Sequence, residues 1–141
     1  MNKISVNLIG PGEIIEGQHN YGLGNQLFQI ASVLSYAKNN NFKAVFPCLR
    51  DKTRYGNYTD NILRNLIVDE DISDYVLFCN PDTKYKPIPE SEKSILIHDS
   101  YLQSEKYFSN NRGLILETFS PSVEDKQYLE NKYGEALNSE N

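Results

Sequence analysis

The sequence has no tryptophan, one methionine, two cysteines, two histidines and no long apolar run. Each shortage excludes something. Cys48 and Cys79 match no metal-ligand spacing and are too few for the disulfide framework of a small secreted domain, so both read as buried, inert thiols kept reduced. No segment approaches the roughly 20 apolar residues that cross a bilayer, and Met1 leads almost directly into a strand-like segment without the apolar centre of a signal peptide. A soluble, cytoplasmic protein with no membrane span is the expectation. Positive charge is also scarce: Lys and Arg number 14 against 19 Asp and Glu, a formal net charge of -5. Such a surface repels a phosphate backbone, so no nucleic-acid partner is expected.

What remains is enough for one folded unit. A chain of 141 residues with 39% hydrophobic and 23% charged residues can bury a core but is short for two domains, and its balance argues against wholesale disorder. No internal repeat or low-complexity tract is present.

The apolar pattern alternates between two periods. Ile4 to Ile9 reads as a half-buried strand closed by the turn Gly10-Pro11-Gly12. Leu27, Ile30, Ala31, Leu34 and Ala37 mark one face of a helix that Asn25 would cap and Asn39-Asn40-Asn41 would end. Phe42 to Phe46 reads as a second strand stopped by Pro47. This β-loop-α-β order predicts an α/β fold with an open parallel sheet and a crossover helix.

Leu49 to Asn61 is turn-rich, Ile62 to Leu66 suggests a helical turn, and Tyr75 to Phe78 a strand. Pro81 to Glu92 is an exposed loop, followed by Ser94 to His98 as a central buried strand. Ser120-Pro121 with Glu124 and Asp125 opens a last helix, whose inward stripe is Leu129, Tyr133 and Leu137. Open α/β sheets bind ligands at the carboxyl ends of their strands, which selects the loop through Gly24 and the loop after His98.

Gly22-Leu23-Gly24-Asn25-Gln26 stands at a helix start, where free backbone N–H groups and the helix dipole favour an anion. It is neither GxGxxG, since Leu27 occupies the last glycine position, nor a P-loop. His98 and Asp99 suggest a base and its partner, but neighbours on a strand point to opposite faces, which argues against a direct pair. Asp69-Glu70-Asp71 fits a metal-binding Asp-x-Asp pattern and Arg50, Lys52 and Arg54 a phosphate-attracting cluster; both read better as solvated charge runs.

The run Gly22 to Ala31, GLGNQLFQIA, closely resembles the N-terminal signature of the α-1,2-fucosyltransferases, glycosyltransferase family 11. Tyr101 to Phe108, YLQSEKYF, is similar to the same family's Tyr-x-Gln-Ser-x-Lys-Tyr-Phe motif, and Phe46-Pro47, Tyr55, Tyr58 and Leu63-Arg64 are more diffusely similar to it. The resemblance implies a GT-B arrangement of two Rossmann-like domains, with residues 1–137 as the N-terminal one and 138–141 as a linker to a C-terminal donor-binding domain. It implies inverting transfer of fucose from GDP-fucose to a 2-hydroxyl of a glycan acceptor such as a galactoside, without a metal or other cofactor.

Donor binding then falls to Gly22, Gly24, Asn25 and Gln26. The acceptor side or cleft takes His98, Asp99, Tyr101, Gln103, Ser104 and Lys106, while Tyr107 and Phe108 pack. No catalytic base is named. The family's His-x-Arg-Arg-x-Asp segment has no counterpart in this sequence, and Gly12 to Tyr21 forms an insert before the first motif. An inactive half-enzyme is therefore expected, with a separate C-terminal half as its candidate partner; the rival expectation is a non-enzymatic sugar- or nucleotide-binding domain or an inactive gene fragment.

Overall fold

A computed structural model describes residues 1–8 and 23–137. The fold is α/β and Rossmann-like. Strands β1 (Lys3–Val6), β2 (Lys43–Ala44), β3 (Tyr75–Cys79) and β4 (Ser94–His98) form an all-parallel open sheet in the order β2-β1-β4-β3. Helix α1 (Leu23–Asn40) connects β1 to β2, as the alternating periods predict. The turn at Gly10 to Gly12, the insert, Gly22 and the linker 138–141 lie outside the described residues.

β1 is more deeply buried than its alternating sequence suggests. Ile4, Ser5 and Val6 are all buried, which is the signature of an inner strand of a parallel sheet, covered on both faces. β4 is the central strand expected, with Ile95, Leu96 and Ile97 buried between β1 and β3. Ile4, Val6, Ile95 and Ile97 share one core with Ile30, Val33, Phe46, Leu49 and Leu63. Each such side chain contributes about 1.5–3 kcal/mol relative to an exposed one.

α1 ends where its three asparagines predict. Asn41 adopts a left-handed φ of 57°, and the Phe42 amide donates to the Ala37 carbonyl at 3.0 Å. This six-to-one closure carries the expected apolar contact, the Phe42 ring lying edge-on to Tyr36 with centroids 5.3 Å apart. The start differs from expectation: Asn25 lies within the helix and does not cap it.

Burial also extends beyond the predicted face of α1. Ile30, Ala31 and Ala37 are buried as expected, but so are Gln26, Gln29, Ser32 and Ser35. A second layer accounts for this. Residues 102–119 run across α1, Phe28 meeting Phe108 at 6.0 Å and Asn111 Nδ2 donating to Ser35 Oγ at 2.7 Å. Within that layer lies helix α3 (Arg112–Thr118), which the sequence pattern does not reveal: it has no side-chain cap, and its Leu114-Ile115-Leu116 run lacks helical spacing.

β2 is shorter than Phe42 to Phe46. Val45 still donates to the Ile4 carbonyl, but the Phe46 amide turns to Ile67 and Pro47 starts a 3-10 turn, Pro47–Arg50. The turn-rich segment also holds the single-turn helix α2 (Lys52–Tyr55).

The last helix, α4 (Val123–Leu137), begins two residues later than expected. Ser122 Oγ, not Ser120, accepts from the Asp125 amide at 3.0 Å; Ser120 Oγ instead donates to the Glu117 carbonyl. Of its expected inward stripe, Leu129 and Tyr133 do not pack, being 41% and 46% exposed, and the Leu137 side chain lies outside the described structure.

Candidate functional site

The sheet order sets the site. β1 passes through α1 to β2 on one side, whereas β4 and β3 lie on the other, so the chain order reverses between β1 and β4. Crevices at the carboxyl ends of strands on either side of such a reversal are where open α/β sheets bind ligands. The Asn7 amide donates to the Ile97 carbonyl at 2.8 Å, so Asn7-Leu8 and His98-Asp99 emerge side by side. A cavity of about 570 Å³ opens there, lined by Asn7, Leu8, Cys48, Asp51, Arg54, Tyr55, His98 and Asp99.

Its far wall is the α2 segment, fastened from two directions. Tyr55 is buried, its hydroxyl donating to the Leu8 carbonyl at 3.0 Å, while its own carbonyl accepts from Gln26 Nε2 at 3.3 Å. The first turn of α1 is thereby tied to the cavity wall. Thr53 Oγ1 donates to Asp51 at 2.6 Å and holds that carboxyl below its ordinary range, with help from the Arg54 and Thr53 amides and the Arg54 charge. Cys48 Sγ donates to the Val6 carbonyl at 3.2 Å, and burial pushes its thiol up, which suppresses the nucleophilic thiolate.

His98 and Asp99 meet directly, Nδ1 to Oδ2 at 3.1 Å, against the expectation for neighbouring strand residues. β4 ends at His98, and Asp99 takes a left-handed φ of 46°, which swings its carboxylate back to the imidazole. Asp tolerates this conformation better than most residues. Ser100 then locks the strand end: its hydroxyl donates to the His98 carbonyl at 2.8 Å and accepts from the Asn80 amide at 2.6 Å.

The two sequence motifs are joined. Gln103 Nε2 donates to Asn25 Oδ1 at 2.6 Å, across 78 positions of sequence. The other expected residues disperse. Gln26 is buried and engaged with Tyr55, and Gly24 fronts an apolar hollow of about 250 Å³ with Leu27, Phe28, Phe108 and Phe119. Ser104 caps a 3-10 turn, Glu105–Tyr107. Lys106 lies by the C-terminal end of α1 with Asn39 and Asn40, its ammonium 5.8 Å from the Tyr85 ring centroid. Tyr101 is half-buried, and Gly22 lies outside the described residues.

Tyr107 and Phe108 pack, as expected. The Tyr107 hydroxyl donates to the Lys86 carbonyl at 2.7 Å and accepts from Asn80 Nδ2 at 2.9 Å, pinning the proline-rich loop.

Of the basic cluster read as solvated, Arg50 pairs with Asp71 and Lys52 with Asp60, but Arg54 faces the cavity. Glu70 bridges Lys3 and Lys43 at the opposite, amino-terminal edge of the sheet. Asn7, Cys48 and Asp51 carry no motif; only the position of Asn7 after the first strand could have singled it out. Among the described residues, no helix is long and apolar enough to cross a membrane.

This is the carboxyl edge of a Rossmann-like sheet, the place where open α/β sheets bind ligands. No protein-family model and no solved structure matches the chain. It is similar to the galactoside 2-alpha-L-fucosyltransferase of Caenorhabditis elegans, at 28% identity over 138 residues, covering 82% of this chain and 36% of that protein. The chain thus spans little more than a third of that relative's length.

Proposed function

We propose that this chain is the acceptor-side portion of a fucosyltransferase, which moves fucose from GDP-fucose to the 2-hydroxyl of a galactoside. The observation that carries the reading is the Gln103–Asn25 hydrogen bond, which joins two motif segments distant in sequence. The similarity to a galactoside 2-alpha-L-fucosyltransferase supports it. Asp51, Asp99, Arg54, Asn7 and His98 offer both donors and acceptors to sugar hydroxyls.

In this reading the acceptor sits over the ends of β1 and β4, and its hydroxyl attacks the anomeric carbon of fucose as GDP departs. Charge then develops on the diphosphate, where preorganised donors lower the barrier most. Gly24 and Asn25 lend first-turn amides of α1 to that charge, and Gly22 is proposed to bind the donor with them. The cations that neutralise the remainder belong to a segment of the His-x-Arg-Arg-x-Asp type, which these 141 residues do not contain. The chain alone is therefore expected to bind a galactoside yet transfer no measurable fucose.

Saturation-transfer NMR with a galactose-terminated acceptor, beside a radiochemical transfer assay with GDP-fucose, tests both halves. Galactoside binding that Asp99→Ala weakens, with no transfer, is the expected result. Robust turnover overturns the dependence on a further segment. Absence of galactoside binding overturns the acceptor reading and favours a non-enzymatic domain.

A further inference from the structure

We infer that His98 is the general base that deprotonates the acceptor hydroxyl and that Asp99 is its positioning residue. The assignment rests on the acceptor reading of the cavity. Three observations carry it: His98 lines the cavity at the strand ends, Asp99 Oδ2 holds its Nδ1 at 3.1 Å, and Asp99 has the left-handed φ of 46°. Among the described residues, the other titratable or charged groups lining this cavity are Asp51, Arg54, Cys48 and Tyr55, and Cys79 lies beside His98 in the sheet with its thiol donating to the Asp99 carbonyl at 3.7 Å.

Each is less suited to take the proton. Arg54 has no free lone pair. Tyr55 already donates to Leu8, and Cys48 is a raised thiol that donates to Val6. Asp51 is held as a weak base by Thr53.

A carboxylate on Nδ1 selects the tautomer with its proton there, because carboxylates only accept. Nε2 then carries the lone pair. In the transfer step the acceptor oxygen forms a bond to the anomeric carbon, and the bond from that carbon to the diphosphate breaks with its electron pair leaving on GDP. The acceptor proton passes to Nε2, and Asp99 stabilises the resulting imidazolium. The lone pair on Nε2 is thus what the acceptor hydroxyl meets.

The 141-residue chain tests this without turnover. With only two histidines in the sequence, ¹⁵N-labelled imidazole signals are assigned by a His19→Gln variant. His98 is expected in the Nδ1–H tautomer, and methyl β-galactoside is expected to shift its Nε2 signal. His98→Ala should weaken galactoside binding about fivefold, the worth of one hydrogen bond. Asp99→Asn should raise the Nε2–H fraction while the amide spectrum stays folded, a change that a merely structural Asp99 does not produce.

A predominant Nε2–H tautomer overturns the assignment, as does galactoside binding that leaves the His98 signals unmoved. Failure of the sugar to bind at all instead overturns the acceptor reading beneath it.

Discussion

At the scale of single residues, the second motif is held by backbone conformations that side chains seldom adopt. Asp99 and Leu102 both have left-handed φ values, 46° and 54°. For Leu102 that conformation costs roughly 1–2 kcal/mol, which burial of its side chain offsets. The turn delivers Gln103 to Asn25. Asn25→Ala and Gln103→Ala are expected to be non-additive in urea unfolding, with a coupling of about 0.5–1.5 kcal/mol. Strict additivity in the double-mutant cycle refutes a working contact between the motifs.

At the scale of elements, α1 and α4 show why a periodic sequence is not enough. Both have credible apolar stripes, but α1 is enclosed by the sheet and by residues 102–119, whereas almost every described side chain of α4 is exposed. A stripe contributes little stability until another surface covers it. Leu129→Ala is expected to shift unfolding by less than about 0.5 kcal/mol, against about 2–5 kcal/mol for Ile95→Ala in the core. Hydrogen exchange should find α4 amides far less protected than those of β4. Equal protection shows that α4 is packed in solution.

At the scale of the whole molecule, the two edges of the sheet carry different charge arrangements. At the amino-terminal edge Glu70 pairs with Lys43 and Lys3, and the hydrogen bond from Lys43 leads the causes that hold its carboxyl below the ordinary 4.5. At the carboxyl edge Asp51 is lowered from 3.8, chiefly by Thr53. Both are depressed carboxylates, so their contribution is present above their ordinary values and lost as pH falls through the lowered ones. The urea midpoint is expected to drop as pH falls from about 5 to about 3, and Glu70→Gln should shrink that drop. Both groups are solvent-facing, so the effect is small and added salt reduces it. An unchanged profile in Glu70→Gln shows the bridge adds nothing.

The sequence by itself determined the parallel α/β class, the inner strand Ser94 to His98, the stop of α1 at its asparagines and the two motifs, because these rest on local periodicity, turn chemistry and contiguous residue identity. It could not determine that Asn25 meets Gln103, that His98 meets Asp99, that Arg54 turns toward the cavity while Arg50 and Lys52 find carboxylates, or that Ser104 and Lys106 leave the site. Those outcomes depend on strand order, on a left-handed turn at a non-glycine residue and on the layer that covers α1. Only the tertiary structure decides them, since each sets the distance between groups far apart in sequence or reverses the direction of a neighbouring side chain.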